Sequence, residues 1–77
     1  MNDYPMTDQD GEDLLKRFTY HPPKNNQPER YKIIREEAHK LAVGISIMAP
    51  KSRELALALT NLEQFVFWAN AAIARNE

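Results

Sequence analysis

The sequence predicts an all-α protein with a short N-terminal helix followed by an antiparallel hairpin of two long helices. Three observations predict this fold. Apolar residues recur at helical spacing through residues 31–48 and 55–73. The prolines at positions 22, 23, 28 and 50 fall between the predicted helices or in a first turn. The C-terminal 25 residues contain neither glycine nor proline. A chain of 77 residues allows one domain.

The first predicted element is a short helix from about Gly11 to Phe18. Asp10 is expected to cap it, and Glu12 and Asp13 suit the positive N-terminal end of the helix dipole. The first fifteen residues hold five acids and no base. We therefore expect residues 1–10 to form an acidic flexible lead and residues 11–77 to form the single domain.

The second and third elements are the long helices. Two consecutive prolines exclude residues 19–26 from helix, and His21 before Pro22 is restricted to extended backbone. Pro28 suits the first turn of a helix that runs to about Ala49. Pro50 ends that helix, and the next one is expected from about Ser52 almost to the last residue.

The two long helices carry matching apolar seams. The predicted seam residues are Tyr31, Ile34, Ala38, Leu41, Ile45 and Met48 on the first long helix, and Leu55, Leu59, Leu62, Val66, Ala69 and Ile73 on the second. Both sets follow alternating steps of three and four, and a connection of about three residues makes the helices antiparallel neighbours.

Further apolar residues lie away from these seams. We call them the outer apolar residues: Ile33, Val43 and Ile47 on the first long helix, and Leu57, Phe67, Trp68 and Ala71 on the second. The short helix could cover one of these sets through Leu14, Leu15 and Phe18, but hardly both. A domain this small buries only about 60% of its unfolded surface, and without cysteine it has no disulfide. Homo-oligomerisation is therefore predicted.

Several function classes lack support. His21 and His39 are eighteen residues apart, and the chain has neither metal-ligand spacing nor a glycine-rich phosphate loop, so no metal or cofactor is expected. Adjacent Glu36 and Glu37 are a poor acid–base pair on a helix, so we expect no enzyme. No apolar run approaches a membrane span, Met1 to Asp13 resembles no signal peptide, and a net charge of −1 disfavours a nucleic-acid polymer as partner.

Binding chemistry is better represented. Residues 16–40 hold seven bases against three acids, so a neutral total conceals a basic middle. Tyr20 and His21 lie at a stiff proline-rich entrance with Lys24 just beyond, and Arg35 can reach the same end of the hairpin. An aromatic ring beside cations can stack on a base while a phosphate is neutralised. The simpler alternative is that Phe18 and Tyr20 seal the hairpin end and Arg35 pairs with a glutamate.

Several strings, in this order and spacing, resemble the anti-CBASS cyclic-oligonucleotide sponges of bacteriophages, which share a helical-hairpin domain with anti-Thoeris sponges. The strings are Tyr20-His21-Pro22-Pro23, Gln27-Pro28-Glu29-Arg30-Tyr31, Ile34-Arg35, Pro50, Ser52-Arg53-Glu54, Leu57-Ala58-Leu59-Thr60, Leu62-Glu63 and Trp68-Ala69-Asn70-Ala71-Ala72-Ile73-Ala74-Arg75-Asn76-Glu77. The resemblance covers residues 18–77.

The resemblance implies a homo-oligomer, typically a hexamer, that sequesters cyclic di- and trinucleotide messengers in the cytoplasm of the infected host without hydrolysing them. Carried over by residue, the aromatic ligand contact falls on Tyr20 and the basic one on Arg35, with Lys24 and Lys32 as neighbouring candidates. A separate trinucleotide pocket falls on Arg75. A hydroxyl position of that pocket falls on Glu37 here, and an acid facing a phosphate would weaken binding, so trinucleotide binding stays open.

Two other functions remain as alternatives. The outer apolar residues would also suit a small helical protein–protein interaction module that binds a host protein. A nuclease or phosphodiesterase is a more distant alternative, because the chain shows no catalytic set. The sequence does not decide which cyclic nucleotides are preferred.

Overall fold

The computed structural model describes residues 3–77 and contains three helices: α1 (Asp8–Phe18), α2 (Gln27–Met48) and α3 (Arg53–Asn76). The described residues form no strand, and the prediction of an all-α fold with a short first helix is confirmed. The predicted acidic lead, residues 1–10, includes two residues that lie outside the described residues.

Helix α1 begins earlier than the sequence predicted. Its N-cap is Thr7, whose hydroxyl accepts a hydrogen bond from the Asp10 N–H at 3.1 Å, while the Asp10 carboxylate accepts from the Thr7 N–H at 3.0 Å. This reciprocal pair is a capping box. The prediction that Asp10 caps a helix starting at Gly11 is therefore wrong, because Asp10 is already the third residue of the helix.

Helices α2 and α3 form the predicted hairpin. Pro28 lies in the first turn of α2, and Ser52 caps α3 by accepting a hydrogen bond from the Leu55 N–H at 3.1 Å. Residues 49–52 connect the helices, which pack along each other, whereas α1 makes few contacts with either. Gln27 at the start of α2 bonds to Glu77 just beyond α3, so the two helices are antiparallel.

The seam of α3 is confirmed, since all six of its predicted residues are half-buried. On α2 the prediction is wrong at Leu41 and Met48, which are 54% and 76% exposed. Ala42, and Ala49 just beyond the helix, are half-buried instead. A straight α-helix drifts by about 20° per heptad relative to a repeat of 3.5 residues. The inward face of α2 therefore moves one residue further along than the heptad pattern indicates.

The outer apolar residues remain uncovered. Those on α2 and α3 are between 47% and 80% exposed, except Ala71, which is half-buried against expectation. Helix α1 does not cover either set, because Leu14, Leu15 and Phe18 are themselves exposed. Among the described residues no apolar side chain is fully buried.

The protomer is thin and extended. It measures 49 × 40 × 13 Å with a radius of gyration of 17.4 Å, whereas a compact chain of this length would have about 11–12 Å. Its accessible surface is 6697 Å², while a compact monomer of this mass would expose about 4,800 Å². The shape leaves an excess of about 1,900 Å² of surface relative to a compact domain.

Candidate functional site

The open end of the hairpin is closed by a polar cluster, which we call the clasp: Gln27, Arg30 and Glu77. The Arg30 guanidinium donates two hydrogen bonds to the Glu77 carboxylate, one of them from Nη1 to Oε2 at 2.7 Å. The Gln27 side-chain amide donates to Oε1 of Glu77 at 3.1 Å. Hydrogen bonds, chiefly from Arg30 and secondly from Gln27, lower the pKa of Glu77 from 4.5 to about 2.

The clasp is continuous with the α1–α2 loop, residues 19–26. Lys24 Nζ donates to the main-chain oxygen of Glu77 at 2.6 Å, and the Lys24 N–H donates to the Gln27 side-chain oxygen at 3.1 Å. His21 Nε2 lies 2.8 Å from the main-chain oxygen of Lys16. Because that oxygen can only accept, Nε2 is the donor. The loop is thus bonded on both sides of its two prolines.

Tyr20 lies in this loop with its ring presented to solvent. Tyr20 is 80% exposed and Phe18 is 83% exposed, so within one protomer neither residue seals the hairpin end. The loop therefore holds an aromatic face free for stacking, with the ammonium group of Lys24 four residues away along the chain.

Arg35 lies elsewhere, on an open groove between α2 and α3 with a volume of about 420 Å³. The groove is also lined by His39, Thr60 and Glu63. Among residues 3–77, Arg35 takes part in none of the ion pairs, so the alternative in which it merely neutralises a glutamate has no support in this protomer. The Glu63 side chain nevertheless lines the same groove as Arg35.

The remaining predicted site residues are spread along the hairpin. Lys32 lies 3.9 Å from Glu36, in an exposed pair one turn apart. The Arg75 guanidinium lies 6.0 Å from the Trp68 ring centroid and borders a second groove with Phe67. Arg35 and Arg75 therefore line different grooves. The Glu37 carboxylate is 3.2 Å from Lys40 Nζ, which partly balances its charge.

Sequence reasoning missed the clasp. Gln27, Arg30 and Glu77 belong to strings that carry the family resemblance, but the sequence assigns none of them a structural or ligand-binding role. Gln27 is nevertheless the most deeply buried side chain described, at 1% exposure. The residues that meet are 47 to 53 positions apart in sequence, and no local pattern signals such contacts.

The arrangement suits the binding of anionic, aromatic ligands. It offers exposed cations, a solvent-facing tyrosine and grooves of mixed polarity. Within the described part of the chain, no group of three or more His, Cys, Asp or Glu side chains could hold a metal ion. None of the helices described in residues 3–77 is both long and apolar enough to cross a membrane.

Fold and site together define a small all-helical hairpin protein with surfaces suited to binding. Residues 10–74 match the family described as Acb2/Tad1, hairpin domain, and the chain belongs to this family. The resemblance to anti-CBASS and anti-Thoeris sponges inferred from the sequence is confirmed. The family is one of binding proteins rather than catalysts. No curated protein and no solved structure matches the chain significantly.

Proposed function

We propose that this chain is a phage immune-evasion protein that sequesters the cyclic di- and trinucleotide messengers of bacterial CBASS defence without hydrolysing them. The proposal includes a homo-oligomer, a hexamer by analogy with the family, acting in the cytoplasm of the infected host. The observation that carries the proposal is the family match over residues 10–74. The chemistry of the exposed residues supports it.

The ligand suits the exposed groups. A cyclic dinucleotide presents two bases and two phosphates, and it needs aromatic faces and cations in pairs. Tyr20 supplies an aromatic face at 80% exposure, and Lys24 and Arg35 supply cations. In a symmetric assembly each of these groups is present once per copy, so a ligand between protomers meets each of them more than once.

The surface of the protomer supports an oligomer. The excess of about 1,900 Å² over a compact monomer exceeds the ~800 Å² that one partner contributes to a standard interface. The excess is large enough for an extensive interface with one neighbour or for smaller interfaces with several. The outer apolar residues would supply the apolar part of such interfaces.

The family resemblance implies two ligand classes, and the two basic residues assigned to them, Arg35 and Arg75, line different grooves. We assign Tyr20, His21, Lys24, Lys32 and Arg35 to the cyclic dinucleotide, and Arg75 to the trinucleotide. Arg75 already stacks on Trp68, which leaves its remaining donors for a phosphate. Arg75→Ala should weaken trinucleotide binding and leave dinucleotide binding unchanged, as measured by titration calorimetry with both ligands.

The first experiment asks whether the protein binds and whether it reacts. Purified protein is incubated with a panel of cyclic di- and trinucleotides and then separated from free ligand. The protein is digested with a protease to release the bound ligand, whose mass is measured by mass spectrometry. A stoichiometric trap working at ~10 nM requires about −11 kcal/mol. Intact ligand supports a sponge. Altered ligand indicates an enzyme, and no binding at micromolar concentration overturns the proposal.

The second experiment tests the site. Tyr20→Ala should abolish cyclic-dinucleotide binding, because stacking contributes about 1–3 kcal/mol per base and the residue recurs in each copy. Tyr4→Ala is the matched control, since Tyr4 is equally exposed at 86% but lies before α1. Sedimentation should show the same oligomer for both variants. Unchanged affinity in Tyr20→Ala would place the pocket elsewhere.

A protein–protein interaction module is the second candidate function. The observation that favours it is the set of exposed outer apolar residues, including Phe67 at 62% and Trp68 at 65% exposure. If this function is correct, the folded protein should bind no cyclic nucleotide. It should also be a monomer whose Trp68 side chain is exposed to solvent. A nucleotide-free oligomer that buries Trp68 would count against it.

A further inference from the structure

We propose that Glu77 is a positioning residue for the α1–α2 loop, fixing the backbone that carries Tyr20 and Lys24 before any ligand binds. The inference rests on the proposed function, because it concerns the loop that we assign to the cyclic dinucleotide. It assigns Glu77 no contact with the ligand. The residue acts through Gln27 and Lys24.

The contacts at Lys24 carry the inference. Three groups of Lys24 are engaged: its N–H and its carbonyl bond to Gln27 at 3.1 and 3.0 Å, and its ammonium bonds to the main-chain oxygen of Glu77 at 2.6 Å. The Gln27 amide nitrogen in turn donates to the Glu77 carboxylate. The ammonium of Lys24 thus bonds directly to Glu77, and its N–H is linked to Glu77 through the Gln27 side chain, whereas the bond of its carbonyl to the Gln27 N–H is a local turn contact.

Gln27 can transmit this restraint because it is held firmly. It is 1% exposed, and its side-chain oxygen accepts from both Lys24 N–H and the Tyr31 hydroxyl, the latter at 3.3 Å. Its amide nitrogen is oriented by the carboxylate that Arg30 fixes through two hydrogen bonds. A buried amide whose oxygen and nitrogen both have partners has one stable orientation.

The other side of the loop is anchored to the same end of α3. His21 bonds to the main-chain oxygen of Lys16, and Lys16 Nζ donates to the Asn76 side chain at 2.8 Å. Between the two anchors lie Pro22 and Pro23, which limit backbone freedom. Residue 77 therefore restrains the Lys24 side of the loop directly, whereas residue 76 is linked to the His21 side only through Lys16, and Tyr20 directly precedes His21.

The charge of Glu77 is consistent with a positioning role. Its carboxylate is already paired with Arg30, so it presents little free negative charge to a phosphate. Hydrogen bonds from Arg30 and Gln27 keep its pKa near 2, and the contact is therefore intact at neutral pH. Neutralising Glu77 should loosen the loop rather than remove a repulsion, so affinity should fall.

The experiment compares Glu77→Gln with Glu54→Gln in the full chain. Both changes remove one acid from α3 or its end, but Glu54 lies in the first turn of α3, at the opposite end of the hairpin. In the free protein, Glu77→Gln should speed amide hydrogen exchange at Lys24 and Gln27. It should weaken cyclic-dinucleotide binding about tenfold, the effect of losing one or two ordered side chains. The control should change neither.

Two further measurements distinguish a role in loop positioning from a role in the stability of the whole protein. Affinity is measured well below the melting temperature, with the oligomer checked by sedimentation, so that only loop order differs. The double variant Arg30→Glu with Glu77→Arg restores the ion pair but not the acceptor at position 77 for the Gln27 amide nitrogen, because arginine only donates hydrogen bonds. It should therefore bind cyclic dinucleotide more weakly than the parent protein even where it is as stable. Full parental affinity in this folded double variant would contradict the inference.

The outcomes distinguish this inference from the proposed function. If the unaltered protein binds no cyclic nucleotide, the proposed function fails and the ligand-positioning role fails with it. If the unaltered protein binds but Glu77→Gln binds equally well or more tightly, the inference alone is overturned. Unchanged exchange at Lys24 in Glu77→Gln would also overturn it, whatever the affinity.

Discussion

The open end of the hairpin and its outer apolar residues differ in how far their side chains find contacts within one protomer. At the open end, the clasp pairs the Glu77 carboxylate with three donors from Arg30 and Gln27. The outer surface is the reverse case: Ile47 is 80% exposed and Trp68 is 65% exposed, and neither is covered by α1.

The difference follows from what each kind of contact requires. A hydrogen-bonded ion pair needs only a few atoms at the right distance and direction, which two helix ends can supply. Apolar burial scales with area, at roughly 25 cal/mol per Å², and a slab 13 Å thick has too little interior to bury its apolar side chains. Within one protomer the Glu77 carboxylate is therefore fully paired, although Arg30 Nε is buried without a partner in the described part of the chain, and the outer apolar residues stay exposed.

The largest expected effect is on the apolar surface. Trp68→Asp should shift the protein from larger to smaller oligomers. A buried charge replaces the apolar burial of Trp68, and each interface then loses several kcal/mol of association free energy. Phe67→Asp should act in the same way. Sedimentation velocity measures the change directly.

Tyr4→Asp is the control for this prediction. It puts the same charge on an exposed aromatic outside the hairpin and should leave the oligomer intact. If Trp68→Asp sediments like the parent protein, the outer surface is not the interface, and the contrast with the open end disappears.

The next effect concerns the clasp and pH. Glu77 has its pKa lowered from 4.5 to about 2 by its hydrogen bonds to Arg30 and Gln27. A lowered carboxylate pKa stabilises the folded state fully above about pH 4.5, and this contribution is lost as the pH falls toward 2. Urea unfolding of the parent and of Glu77→Gln should therefore differ at pH 6 and converge near pH 2. A difference independent of pH would mean that the ion pair does not stabilise the open end.

A smaller effect is expected at the opposite end of the hairpin, where the covalent connection already joins the helices. Ser52→Ala removes the hydroxyl that caps α3 and should lower the free energy of unfolding by about 1 kcal/mol. Ser46→Ala, in the interior of α2, is the matched control and should be neutral or slightly stabilising. Equal effects of the two changes would show that the cap contributes nothing.

The smallest effect on the whole molecule is expected in α1. Thr7→Ala breaks the capping box with Asp10, but α1 makes few contacts with the hairpin. Global stability should therefore change by less than about 1 kcal/mol, while the amide of Asp10 exchanges faster. A large loss of global stability would show that α1 is packed more firmly than the protomer indicates, for example against another copy.

Much of the fold could be predicted because its signals are local. The ends of α2 and α3 follow from Pro28, Pro50 and Ser52, and the seam of α3 follows from its spacing. The start of α1 does not follow from the sequence, because both Thr7 and Asp10 are good capping residues and only the reciprocal bond shows which one caps. Leu41 and Met48 lie off the buried face because a repeat of 3.5 residues and the 3.6-residue turn of an α-helix drift apart over the 22 residues of α2.

For the candidate site, the sequence indicates which residue types could bind a ligand but not which residues contact one another. Tyr20 and Lys24 could be chosen because aromatic and basic side chains flank a proline-rich loop. Gln27 and Glu77 could not, because neither residue type at its position signals a ligand or a partner. Their importance depends on a contact between residues fifty positions apart.

The sequence by itself determined the number of helices, approximately where they begin and end, and the family. It also determined that the outer apolar residues have no contact surface within the hairpin. These features depend on interactions within a turn or two of helix, or on a pattern of residue types along the chain. Only the tertiary structure decided which acid closes the open end and how the loop that carries Tyr20 is anchored. Those contacts depend on where two helices of 22 and 24 residues bring their far ends together, which the short connection permits but no local spacing specifies.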